Sequence, residues 1–166
     1  MAYDVYKALL DHVAELLPLG CTVVLTADRG FADTHLMAHL ATLGWHWRIR
    51  IKGSFWVYRS GKRRCNVNRI PLSAGQALFW RHVYLTKQWY GLVHLALGRP
   101  QGSQEYWLVV SDEPTEAKTF EEYGLRFDIE ENFLDDQSNG FQLESSLLRS
   151  AHALERLCCV LAITTL

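Results

Sequence analysis

The stretch "CTVVLTADRGFADTHLMAHLATLGWHWRIRIK", Cys21 to Lys52, changes its hydrophobic period twice. Its first part is a compact β-branched run that reads as a buried strand ending at Asp28. Asp33 then has the chemistry of a helix N-cap, with the helix running through Leu43 and Gly44 closing it. From Trp45 onward the period falls to two. Trp45, Trp47, Ile49 and Ile51 alternate with His46, Arg48, Arg50 and Lys52, predicting a strand with one apolar and one basic face.

Upstream, "AYDVYKALLDHVAELL" spaces Val5, Leu9, Val13 and Leu16 as on a helix, and Pro18 and Gly20 stop it. Helix, strand, helix in that order indicates an α/β arrangement with a parallel sheet. Downstream, "SFWVYRSGKRR" has the Ser-Gly turn of a hairpin. "ALFWRHVYLT", "YGLVHLALG" and "EYWLVVSD" are further strand candidates between turns. After Pro114 the helical period returns from about Thr115 to Gln137, and "QLESSLLRSAHALERLCCVLAITTL" reads as a final apolar helix.

The composition, 49% apolar and 21% charged over 166 residues, is that of a globular chain able to bury a core. The longest apolar run, "CCVLAITTL", is too short to span a bilayer, and no secretory signal opens the chain. Cys21, Cys65, Cys158 and Cys159 show neither zinc spacing nor a disulfide framework, which points to a reducing cytoplasm. Net charge is −1 but unevenly spread. Arg48, Arg50, Lys52, Arg59, Lys62, Arg63, Arg64 and Arg69 fall between His46 and Arg69 without an acid, a pattern that suits an anionic partner but that on charge alone reads slightly better as a charged surface keeping the chain soluble. His35 and His39 stand four apart on a helix but lack a third ligand, and read as surface histidines.

On a helical wheel with Tyr123 at zero and about 100° per residue, the apolar arc of the helix after Pro114 runs from about 200° through zero to about 60°. Glu121, Asp128, Glu131, Asp135 and Asp136 lie outside it. Glu130, near 340°, lies inside with Arg126, Gln137 and Tyr123. An inward carboxylate needs a cation, either Arg126 or a metal.

Tyr123, Arg126 and Glu130 follow Y-(2)-R-(3)-E within "YGLRFDIEENFLDDQSNGF". This resembles the Y-R-E-K helix signature of insertion-sequence transposases of the DDE class. "VVLTADRGF" likewise resembles the strand that carries the second aspartate of that class. The resemblance implies a partial ribonuclease-H-like core, α/β (α+β) in class, with an antiparallel β region inserted between the second and third catalytic acids. Residues 1–44 would be core, 45–112 the insertion, and 113–166 the C-terminal core helices.

The implied activity is DNA transposition by metal-dependent phosphoryl transfer at a transposon end. Asp28 and Glu130 would be catalytic acids and ligands of a two-metal Mg²⁺ (or Mn²⁺) site, for which hard oxygen donors are suited. Tyr123, Arg126, Gln137, Arg48, Arg50, Lys52, Lys62, Arg63 and Arg64 would contact DNA, and Trp56 or Trp80 could stack on a base. The chain departs from the family in two places. Residue 137 is Gln where the signature has Lys. The family's first aspartate and its strands have no counterpart, so "TVVLTA" should show an unpaired edge and the chain alone should be inactive. A homodimer, or a complex with an intact transposase in a bacterial cytoplasm, fits that expectation. The alternative is a non-catalytic DNA-binding or oligomerising module that interferes with an intact transposase.

Overall fold

The computed structural model describes residues 3–60, 62, 64–102, 105–134, 150–154 and 156–157. Helix α1 (Tyr3–Leu16) leads into β1 (Val24–Ala27), α2 (Thr34–Thr42) and β2 (His46–Arg50). Strands β3 (Trp56–Arg59), β4 (Cys65–Asn66), β5 (Ala77–Leu85), β6 (Tyr90–Gly98) and β7 (Trp107–Ser111) follow, then α3 (Ala117–Leu134). The strands form one sheet in the order β1-β2-β7-β6-β5-β3-β4. Only β1 and β2 pair parallel, with Ala27 level with Ile49, and every other pairing is antiparallel. The mixed α/β character read from the sequence is observed. Helix α2 returns the chain so that β2 lies beside β1.

The α2 cap explains how. The Asp33 side chain accepts the His35 amide, fixing the start of the helix. Gly44, at φ +70°, donates to the Ala41 carbonyl, and the Trp45 amide reaches the Leu40 carbonyl. This αL closure requires glycine and delivers Trp45 directly into β2.

Alternation along the strands then assigns two faces. Trp47, Ile49, Leu95, Leu97, Leu108 and Val110 join Leu36, Met37 and Leu40 of α2 in the main core. The opposite face carries small or polar residues: Ala96 and Gly98 on β6, Ser111 on β7, and Arg48 on β2. The first turns of α3 cover it, with Phe120 against Phe79 and Trp107, and Tyr123 against Trp107. A Cβ on Gly98 would come within 3.0 Å of the Phe120 ring, so the glycine admits the helix.

By contacts the chain forms two units, residues Met1–Gly124 and Leu125–Leu166. In the second unit α3 continues to Leu134, and Ser150 caps a helical stretch by accepting the Ala153 amide. Most of the expected final helix lies outside the described residues. No helix among the described residues is long and apolar enough to cross a membrane.

Candidate functional site

Asp28 leaves the carboxyl end of β1, level with the end of the parallel strand β2, where α/β sheets commonly hold their sites. Its backbone carbonyl accepts the Phe31 amide, and one carboxylate oxygen accepts the Gly30 amide at 2.7 Å. This tight Asx turn fixes the side chain's direction. Asp28 is half-buried and forms no ion pair with any described residue, so its second oxygen is open to a ligand.

Beside it lies a cleft of about 280 Å³ whose walls include Arg29, Arg50 and Lys52. Gly53 and Asn68 close one side. The Asn68 amide donates to the Gly53 carbonyl, and a Cβ on Gly53 would meet that of Asn68 at 3.0 Å. Arg50 pairs with Glu105 and also donates to the Tyr106 carbonyl at 3.3 Å. Arg29 was not among the expected DNA contacts, although its place next to Asp28 was a sufficient sequence signal.

Arg48 corrects the expectation of a uniformly basic strand face. It is 6% exposed, and its guanidinium donates to Glu122 at 2.9 Å, Glu113 at 2.8 Å, Ser111 Oγ at 3.0 Å and the Trp47 carbonyl at 3.1 Å. Its charge is therefore paired inside the protein. Glu122 was the acid that sequence reasoning missed. The same wheel places it near 260°, inside the apolar arc, so the signal was present.

His46, Asp112 and Glu113 hold their donor atoms within 4.8 Å of one another, a spacing a metal could use. They sit at the opposite end of β2 from Asp28, about 13 Å away at about 3.3 Å per residue. His46 Nδ1 donates to Asp112 at 2.7 Å, and Asp112 also accepts the Trp47 amide. The Asp112 hydrogen bond, aided by the Asp112 and Glu113 charges, holds His46 above its ordinary pKa. Arg48 and Lys118 pair with Glu113 and Glu122, and His46 pairs with Asp112. The group forms an ion-pair network whose donor atoms are also close enough to hold a metal.

The other expected residues are scattered. Tyr123 is buried on the sheet in the first unit. Arg126 lies in the second unit with its guanidinium 4.9 Å from the Phe127 ring centre. Glu130 belongs to α3, but its side chain, like Arg63 and Gln137 altogether, lies outside the described residues. Lys62 is exposed, and Arg64 packs over Trp56. Arg59 packs over Trp80, so each of the two tryptophans expected to stack on a base has an arginine over its ring. The more open aromatic is Trp89, 57% exposed on the β5–β6 turn. His39 is not a surface histidine, since its side chain is 10% exposed and it reaches Asp11 of α1 at 2.7 Å.

β1 forms one edge of the sheet among the described residues, as expected. No curated protein matches the chain. A family model described as "Transposase DDE domain" matches residues 3–166, a span that includes Asp28, the cationic cleft and α3. With nearly its whole length matched, this chain belongs to the transposase DDE domain family.

Proposed function

We propose that the chain contributes Asp28 and Glu130 as carboxylates to metal-dependent phosphoryl transfer on DNA. The observation that carries this reading is the half-buried Asp28, held by the Gly30 amide and without a cation among the described residues, next in the chain to Arg29, which lines a cleft with Arg50 and Lys52. An all-oxygen donor of this kind suits Mg²⁺ or Mn²⁺. When bound, such ions activate the attacking oxygen and stabilise the leaving one. The protein's own part is to hold the Asp28 carboxylate in one direction and to grip the DNA backbone beside it. Arg50 and Lys52 serve that second task, together with Arg29. Tyr123 and Arg126 of the Y-R-E-K signature, Gln137 at its Lys position, and Lys62, Arg63 and Arg64 at the β3–β4 hairpin, extend the same reading. So do the ribonuclease-H-like core and the inserted β region.

We further infer that these two acids do not suffice for strand cleavage by the chain alone, because the family's chemistry uses three. Thermal melting in the presence of Mn²⁺, together with a nicking assay on a short duplex, tests both parts. The expected result is an Mn²⁺-dependent rise in melting temperature that Asp28→Asn and Glu130→Gln each weaken, with no nicking. An Mn²⁺ response indifferent to both substitutions overturns the site, and nicking overturns the inactivity. Duplex binding that is independent of Mn²⁺ favours the alternative, a non-catalytic DNA-binding or oligomerising module.

A further inference from the structure

The cleft beside Asp28 has an asymmetry that the DNA reading does not require. The Arg50 side chain is 13% exposed and is held by the Tyr106 carbonyl as well as by its acid. Its partner Glu105 is 58% exposed and stands on the segment just before β7. The cation is therefore the more buried and more firmly held member of the pair. Lys52 and Arg29 line the same cleft and form no ion pair among the described residues. Three cations thus face a single acid, in a chain whose net charge is −1. The tight Gly53–Asn68 contact gives the cleft a firm wall.

We propose that this cleft seats one backbone phosphate of the DNA strand bound at Asp28, and that Glu105 holds the phosphate's place on Arg50 until the strand arrives. The assignment rests on the DNA reading above. Its chemistry is ordinary: an exposed ion pair is weak, whereas a guanidinium fork gains charge-assisted hydrogen bonds from a phosphate. Glu105 then lowers affinity by competing, and it keeps Arg50 oriented when DNA is absent.

The test is duplex binding by fluorescence anisotropy across a salt series, using the whole chain and its Glu105→Gln, Lys52→Gln, Arg50→Gln and Arg50→Gln/Glu105→Gln variants. Glu105→Gln should tighten binding by up to about fivefold, the equivalent of an exposed pair worth up to about 1 kcal/mol. In the Arg50→Gln background the same substitution should do nothing, which separates competition at Arg50 from a general change in charge. Lys52→Gln should lower the slope of log K against log salt by about 0.9, the loss of one phosphate contact. Melting in sulfate against chloride at equal ionic strength adds a second readout. Sulfate should stabilise the Glu105→Gln chain more than the parent, because a tetrahedral anion can enter the vacated fork.

Failure to bind any duplex at low salt overturns the DNA reading itself. Duplex binding that ignores both Glu105→Gln and Lys52→Gln leaves that reading standing and overturns the cleft. Sulfate stabilisation without any change in duplex affinity makes the cleft a free-anion site, which also overturns the proposal.

Discussion

Replacing Arg48 by methionine should destabilise the protein by about 2–3 kcal/mol without weakening its hold on DNA. The figure follows from the geometry. Methionine keeps much of the apolar stem but removes four hydrogen bonds, two of them to carboxylates. Breaking a buried ion pair costs about 3–5 kcal/mol when the orphaned charge stays dry. Here the carboxylates left behind are Glu113 and Glu122, whose side chains keep 41% and 30% exposure, can partly rehydrate, and retain His46 and Lys118 as weaker partners. That discounts the loss to about 2–3 kcal/mol. With a urea dependence of about 2 kcal/mol per molar, the unfolding midpoint should fall by about 1–1.5 M. Neutralising the whole group in Arg48→Met/Glu113→Gln/Glu122→Gln should recover most of the loss, since no buried charge is left unpaired. The salt slope for duplex binding should be unchanged by Arg48→Met. A loss under about 0.5 kcal/mol, a triple variant no better than the single one, or a reduced salt slope would each refute the reasoning. Any of these would mean that the guanidinium faces solvent and is available to phosphate.

Stability should peak near the ordinary histidine pKa of 6.5, because two histidines are shifted in opposite directions. His46, facing Asp112, Glu113 and Arg48, is raised chiefly by its Asp112 hydrogen bond, so its contribution is complete below 6.5 and is lost as pH rises through its folded value. His94, facing His82, Arg81 and Asp112, is lowered chiefly by burial, so stability is lost as pH falls below 6.5. Melting temperatures between about pH 5 and 8.5 should trace this dome, with His46→Gln flattening the alkaline arm and His94→Gln the acid arm; an alkaline arm that survives in His46→Gln refutes the assignment. Gly98→Ala should cost about 1–3 kcal/mol in urea unfolding, because the Phe120 ring it meets is itself packed between Phe79 and Trp107. Adding Phe120→Leu should return part of that loss, and no recovery would locate the strain elsewhere. Gly30→Ala places a Cβ 3.0 Å from the Asp28 carboxylate and should weaken the Mn²⁺ response while the metal-free melting temperature holds; equal damage to both contradicts the proposed role of the turn.

Local period and capping chemistry made much of the fold legible. The span of α1, the Asp33 cap, the Gly44 closure and the strands β2, β5, β6 and β7 all follow from neighbours within a few residues. Long-range pairing was not legible. The alternation in "WHWRIRIK" states that Arg48 is opposite Trp47 and Ile49, and nothing local states that Glu113 and Glu122 arrive from 65 and 74 residues away to bury it. His94 is hidden for the same reason, since His82 of β5 is brought to it by strand pairing. Asp28 was readable because strand-end position is a local property. The cationic cleft beside it was half readable: Arg50 and Lys52 stand in the alternating run, but Glu105 is brought to them by β7.

Three basic residues of one strand segment therefore have three fates, decided by what the fold brings above each of them. Arg48 meets three acids and a helix, and becomes structural. Arg50 meets one exposed acid and a carbonyl, so it is oriented but can exchange its partner. Lys52, past the end of β2, meets no acid among the described residues and is proposed to take the anion that enters the cleft. His46, at the other end of the strand, pairs with Asp112 and lies near Glu113, the acids after β7. The parallel pair β1–β2 thus has a charge-balanced amino end that clips β2 to β7 and α3, and a carboxyl end with cationic excess beside Asp28. A domain that must grip a polyanion while keeping a carboxylate poised next to it needs that separation. Were the two sets interchanged, the acids of the network would repel the strand that Asp28 is proposed to receive. The salt slopes of Arg48→Met and Lys52→Gln, measured side by side, read this division directly.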